Sequence, residues 1–281
     1  MEGRYPKTGY INRPFKLFYL QETAEKDFSY HYHDFHKILI FLGGNVSYAV
    51  EGRSYELRPW DIVLVKAGEI HRPIVHDIQP YERVILYLSP DFLDAKNLDG
   101  FDLNLIFTTA AATGSSLISV NSAERSTLEF YVAQLKDSLA PGGYAAPLFE
   151  KTSVLSFMVW LNRILKDGSI RYRDAAASNP HILQILDHIN QNLTADLSVD
   201  CLADKFHLNR SYLMHLFKAE TGFTILNYVT EKRLFLAKQY IKTGMSVTQA
   251  CYSCGFSDYT SFYRAFRRRF GVSPKDAHRL L

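Results

Sequence analysis

The chain has 281 residues, enough for two domains that each bury a core, and its 47% apolar and 22% charged composition is that of a globular protein. Three cysteines are too few, and odd in number, for a disulfide framework. No stretch approaches the ~18 apolar residues of a membrane span, and the start, "MEGRYPKTGYINRPF", is too polar for a secretory leader, so a reducing cytoplasm is expected.

The formal charge of +3 is unevenly spread. From Ser178 onward there are 13 Lys and Arg against 8 Asp and Glu, and the first 177 residues hold 19 against 21. A basic tail on a mildly acidic body suggests a polyanion partner for the tail alone.

Residues 1–92 read as strands. "KILIFL", "VSYAVEG", "RSYELR", "DIVLVKAG" and "YERVILYL" are short β-rich runs separated by Gly-Gly, Glu-Gly, Arg-Pro and Gln-Pro breaks. Even spacing of short strands predicts a sandwich or small barrel. Residues 93–166 change period. "SAERSTLEFYVAQLKDSL" opens on Ser122 as an N-cap and carries Leu128, Val132 and Leu135 on one face. After a "PGG" break, "PLFEKTSVLSFMVWLNRILK" continues with Leu155, Met158, Val159 and Ile164. Both helices are apolar enough either to pack on the β domain or to form a dimer interface. Residues 167–180 lack periodicity and read as a linker.

Residues 181–281 are helical and contain a repeat. "SVDCLADKFHLNRSYLMHLFKAETGFT" from Ser198 aligns with "SVTQACYSCGFSDYTSFYRAFRRRFGVS" from Ser246. The offset is 48 residues through Leu208 and Phe256, and 49 from Leu213 and Phe262 onward. Each copy reads as a short helix, a tight turn and an amphipathic second helix, capped by Asn209 in one and by Ser257 or Asp258 in the other. In a helix-turn-helix the first helix buries its face against the second, whose N-terminal half is free to enter a major groove. With Leu213 and Phe217 inward, Arg210, Ser211, Met214, His215 and Lys218 point away. With Phe262 and Phe266 inward, Thr260, Ser261, Arg264 and Arg267 do. Arg264 suits a guanine edge, and Arg267, Arg268 and Arg269 suit phosphates. The helix between the copies, about 18 residues and roughly 27 Å long, is on the scale of the roughly 34 Å between successive major grooves on one face of DNA. Cys251 and Cys254 form a C-x-x-C without two more ligands at zinc spacing, and read as small core residues of one helix.

The tandem unit resembles the AraC/XylS family of bacterial transcription regulators. "SYLMHLFKAETGFT" (211–224) and "CGFSDYTSFYRAFRRRFGVSPKDAHR" (254–279) carry the resemblance. It implies base-reading roles for Ser211, Met214 and His215 in the first unit and for Thr260, Ser261 and Arg264 in the second. Ser211 and Met214 depart from the larger polar readers of some members and suit methyl contacts or shape. The N-terminal segment resembles, more loosely, the cupin-type sensor domain of many members. "HYHDFHKILIFLGG" from His31 and "WDIVLVKAGEIHRP" from Trp60 echo the two cupin motifs. The resemblance thus implies a multidomain α+β fold: a cupin-like β-barrel with a helical segment, then an all-α tandem helix-turn-helix domain.

In metal-binding cupins His31, His33, a Glu and His71 would be ligands, with Zn, Fe or Ni as the metal. Here Lys37 stands at the Glu position and Lys66 at the proline of the second motif, and His36 is the one substitute fourth ligand. Three readings stay open: a metal on the histidines, histidines hydrogen-bonded in the barrel mouth, or a small organic effector among His31, His33, Lys37, Tyr48, Trp60 and His71. Lys37 favours a carboxylate or phosphate, and the aromatics suit a sugar face. His76 and His188 are assigned no role.

The leading expectation is a ligand-responsive regulator acting on double-stranded promoter DNA. Its further partners would be a sugar or organic-acid effector, RNA polymerase and a second copy of the chain. No cofactor, membrane or catalysis is expected, since the sequence has no nucleophile–base pair, phosphate loop or informative carboxylate pair. The alternative is a metal-dependent cupin, enzyme or metal sensor, with an appended DNA-binding domain. A third, a helical interaction module that never touches DNA, sits poorly with the basic tail and the outward arginines.

Overall fold

The computed structural model describes residues 11, 13–23 and 28–280, so residues 1–10, on which most of the polar start falls, lie outside the described part. Two compact units divide the chain, Met1–Ala177 and Ser178–Leu281.

The first unit begins with β1 (Phe15–Glu22), β2 (His36–Gly43), β3 (Val46–Val50), β4 (Arg53–Glu56), β5 (Ile62–Val65), β6 (His71–Val75) and β7 (Tyr81–Leu88). Helix α1 (Leu105–Thr113), β8 (Leu117–Val120), α2 (Arg125–Asp137), α3 (Ala146–Lys166) and β9 (Ile170–Tyr172) follow, with β10 (Ala177–Ser178) at its end. One sheet has six strands in the order β1-β7-β2-β5-β8-β9, the other four in the order β10-β4-β3-β6. The expected barrel is therefore two sheets, with no ladder closing one onto the other among the described residues.

Strand alternation explains why "KILIFL" is apolar throughout. Ile38 and Ile40 of β2 face a core shared with α1, α2 and α3, together with Ile62, Leu64, Val84 and Leu86. Leu39 and Phe41 face the other way, into a core with Val46, Tyr48 and Val50 of the smaller sheet. A sheet covered on both faces loses the polar-outward half of its pattern. The helices supply one cover: Leu128, Val132 and Leu135 from α2 are buried as expected. In α3 the buried stripe is Val154, Phe157, Met158, Leu161 and Ile164. Leu155 and Val159, expected on that face, lie beside it, and Val159 is 43% exposed.

Three further expectations change. Ser122 is not the cap of α2: Asn121 Oδ1 accepts the Glu124 N–H, and the helix starts only at Arg125. The 93–166 stretch is not only helical, because β8 extends the large sheet beside β5, with Ile62 paired to Ile118. The 167–180 stretch is not simply a linker. β9 pairs with β8, and the Ala176 N–H donates to the Ser54 carbonyl. Strands of two to four residues leave no periodicity to read.

The second unit is helical: α4 (Pro180–Gln191), α5 (Val199–Lys205), α6 (Arg210–Thr221), α7 (Ile225–Lys242), α8 (Val247–Ser253) and α9 (Tyr259–Phe270). The repeat appears as the pairs α5–α6 and α8–α9 on either side of α7. Side-chain caps start each copy at equivalent places: Ser198 and Ser246 for the first helices, Asn209 and Asp258 for the second. Gly222 and Gly271, both in the left-handed region, end the second helices. Cys251 and Cys254 are buried in the core of the second copy, and burial raises both thiols, Cys254 to about 12, which leaves them protonated.

Candidate functional site

The first candidate site lies at one end of the core between the two sheets. On β2, Lys37 shares the inward face with Leu39 and Phe41 and pairs across the ladder with Tyr87 of β7. The smaller sheet brings Tyr48 of β3 and His71 of β6. His31 joins β6 through a backbone bridge to His71, with N–H to carbonyl distances of 3.1 and 2.9 Å. Ring centroids of His71 lie 4.3 Å from His31 and 4.7 Å from His33. The Lys37 amine donates to the Tyr48 hydroxyl at 2.9 Å, and the Tyr48 ring stacks on His71 at 6.1 Å. Five of the six expected effector residues, His31, His33, Lys37, Tyr48 and His71, thus come together.

Trp60 does not join them. It precedes β5, whose other end, Val65, pairs with Lys37. It packs on the helix-side core under the Arg125 guanidinium, 4.4 Å away. Tyr87 takes a place the sequence reading missed, 5.9 Å from the His33 ring. The signal was the two-residue period of "YERVILYL", which puts Tyr81, Arg83, Ile85 and Tyr87 on one face.

Burial and positive charge dominate this cluster, with Asp34 opposing them at His33. Arg83 is buried nearby, but Glu22 answers its charge at 2.9 Å. Lys37 has Tyr48 as its hydrogen-bond partner; burial, and then Arg83, pull its amine down to about 7. Burial and then Lys37 lower His31 to about 4, and push His33 and His71 well below the ordinary imidazole range. All three rings are therefore neutral at pH 7. Nε2 of His33 and Nε2 of His71 are buried without a hydrogen-bond partner, a state that costs about 1–3 kcal/mol per atom.

These residues do not fit a metal. The described residues contain no group of three or more His, Cys, Asp and Glu side chains arranged to hold a metal ion. Lys37 sets an amine where a carboxylate would balance a dication. His36, the substitute fourth ligand, lies on the opposite face of β2, where its ring stacks on Phe107 at 4.2 Å and its Nδ1 accepts the Ala67 N–H.

The second candidate site is the outer surface of α6 and α9. Arg210, Ser211, Met214, His215 and Lys218 are all exposed on α6, as are Thr260, Ser261, Arg264, Arg267 and Arg268 on α9. Leu213, Phe217, Phe262 and Phe266 are fully buried beneath them. Caps order the N-terminal turns: Asn209 accepts from the N–H groups of Ser211 and Tyr212, and Asp258 from those of Thr260 and Ser261. Arg210 is tied to the exposed Asp200 carboxylate at 2.6 and 2.8 Å.

Arg269 is a correction. One residue before Phe270 and three after Phe266, it lies on the inner side of α9, its side chain 7% exposed, with Nε donating to Glu231 of α7 at 2.8 Å. It fastens the helix and does not lie along phosphates. Tyr212 was overlooked. The 49-residue offset makes it the counterpart of Ser261, and it is 52% exposed on α6.

Two family models match the chain: an AraC-like ligand binding domain over residues 17–103, and a helix-turn-helix domain over residues 202–279. The probable transcriptional regulator LumQ of Photobacterium leiognathi is 26% identical over 254 residues, which are 90% of this chain and 93% of that protein. The HTH-type transcriptional activator RhaS of Shigella sonnei is 28% identical over 263 residues, 90% of this chain and 88% of its own. A ToxT structure from Vibrio cholerae aligns over 94% of this chain and 96% of its own at 13% identity, with a TM-score of 0.37.

Proposed function

Because the chain belongs to the AraC family of transcription regulators, with a ligand-binding domain ahead of its helix-turn-helix domain, we propose that it reads promoter DNA through α6 and α9 under the control of a small molecule held between its sheets. The observation that carries this is the repeated, capped helix pair: two helices whose apolar side is locked inward while the polar side is left to solvent. An ordinary core helix has no need of a second copy bearing the same exposed positions.

Roles follow from side-chain chemistry. Arg264 has a free planar fork that suits guanine O6 and N7. His215, its counterpart at the 49-residue offset, reads from the first unit, with Ser211, Met214, Thr260 and Ser261 beside the two. Lys218, Arg267 and Arg268 answer phosphates, and Arg210, shared with Asp200, completes the edge. The effector biases DNA-competent over incompetent arrangements by binding them unequally. Because β9 pairs with β8 and Ala176 is held by Ser54, the chain leaves the first unit fastened to both sheets. That supports residues 167–180 as the path by which the effector's preference reaches the reader. RNA polymerase is the partner at the promoter, the cytoplasm the location, and a second copy of the chain the dimer mate.

The test is operator binding by the full chain and by Arg264→Ala, on sequences varied one base pair at a time. The variant should lose about 1–3 kcal/mol of discrimination at one position, whereas Lys218→Ala should weaken all sequences alike. An Arg264→Ala protein with unchanged preference at every position would remove α9 as a base reader.

A further inference from the structure

Three imidazoles in the sheet-to-sheet cluster are held in the same tautomer by backbone carbonyls. Nδ1 of His31 lies 3.0 Å from the Ser29 carbonyl, Nδ1 of His33 2.7 Å from that of Phe35, and Nδ1 of His71 3.0 Å from that of Glu69. A carbonyl oxygen only accepts, so each Nδ1 carries the proton and each neutral ring presents Nε2 as a bare lone pair. Two of these lone pairs, on His33 and His71, are fully buried and unanswered. Beside them stands Lys37, a buried amine whose hydrogen-bond partner is a phenol rather than a carboxylate. The cluster thus offers a donor that becomes a cation and two to three acceptors that want a proton.

A plain sugar supplies hydroxyl donors to the imidazoles but no charge for Lys37. A plain carboxylic acid answers Lys37 but turns its oxygen lone pairs toward those of His33 and His71. One molecule does both when a carboxylate sits next to hydroxyl groups. We propose that the effector is a small hydroxycarboxylate, a sugar acid or polyhydroxy acid, whose carboxylate is taken by Lys37 and whose hydroxyls donate to Nε2 of His33 and His71. His31, half-buried at the edge of the cluster, takes the outermost hydroxyl. This rests on the reading of the sheet-to-sheet cluster as the effector site.

The experiment is calorimetric binding to the full chain with D-glucuronate, D-gluconate, D-glucose and hexanoate, each also tested for its effect on operator affinity. One of the two hydroxy acids should bind at least about tenfold tighter than both glucose and hexanoate. In Lys37→Met, which keeps an unbranched side chain one atom shorter and removes the buried amine, that preference should shrink to within about threefold. The wild-type series decides even if the variant does not fold. Glucose binding as tightly as the hydroxy acids, hexanoate doing so, or neither acid binding up to about 10 mM would each overturn the proposal. A change in operator affinity with glucose or hexanoate would reject the hydroxycarboxylate while keeping the regulator. If no probe binds and operator affinity is intact, the inference falls and DNA reading stands.

Discussion

Three buried imidazoles, a half-buried fourth and a buried amine give the first unit a pH dependence whose direction burial fixes. Desolvation holds His36 at about 3 and His31 at about 4, with His33 and His71 also far below their ordinary range. In the unfolded chain these rings take up protons near pH 6.5. Between about 6.5 and 4 the unfolded state therefore binds more protons, and stability falls as pH falls. Lys37, at about 7 when folded and near 10.4 when unfolded, acts in a different window with the same sign: its contribution rises from pH 7 to about 10. Above that the buried phenols of Tyr48 and Tyr81, raised by desolvation, reverse the trend, since the unfolded state then loses protons first. Thermal unfolding should show the transition of the first unit moving down steadily from pH 7.5 to 4.5. A flat profile over that range would mean that the rings are not buried and neutral.

The two helix pairs differ where each must turn. His207 in the first copy and Gly255 in the second are equivalent at the 48-residue offset, and both have positive φ, 53° and 95°. The fold demands a left-handed residue at this point, and the two copies meet the demand differently. At Gly255 a Cβ would run into the Leu193 carbonyl and the Arg233 side chain, which itself holds the Leu193 and Ala195 carbonyls at 2.8 Å. Gly255→Ala should therefore cost roughly 2–4 kcal/mol, combining the backbone penalty with overpacking. His207→Gly should be neutral or gain up to about 1 kcal/mol, since it trades a left-handed penalty for chain entropy. Urea unfolding of the two variants measures the contrast, and equal costs would contradict it.

Much of this element pattern was legible in the chain. The repeat, its caps and the inward phenylalanines are local, and a 3.6-residue period reports them directly. The inward place of Arg269 follows from its spacing to Phe262 and Phe266, but its partner was not legible, because Glu231 lies 38 residues away on another helix. Trp60 misled for a related reason: a motif puts residues near one another in sequence, but position along the paired strand decides which end of the sheet they reach. The helix-bound strands β8 and β9 are too short to carry a pattern, and only pairing reveals them.

At the scale of the molecule, an apolar stripe on the helical side of the first unit has no cover among the described residues. Leu148 is 61% and Val159 43% exposed along α3, with Leu155 half-buried between them and Phe130 of α2 62% exposed. This supports the second copy of the chain as its mate, and the expected measurement is sedimentation. The chain should run as a dimer and the Leu148→Lys/Val159→Lys variant as a folded monomer, with operator affinity reduced by about 10²-fold through lost avidity. A wild-type monomer at micromolar concentration would reject the stripe as an interface.

The pairing of Ile62 with Ile118 and of Val120 with Ile170 also sets how the chain can be cut and made. The large sheet receives its last strands only after the intervening helices have been laid down. A fragment ending near residue 92 would present β5 as an open edge, ready to pair with another unfinished chain. During synthesis the same edge stays bare until residue 120 has emerged. The repeated helices, by contrast, close over short stretches of chain. The first unit is therefore the slow and sticky partner in folding, and residue 172 is the earliest point at which the large sheet is complete.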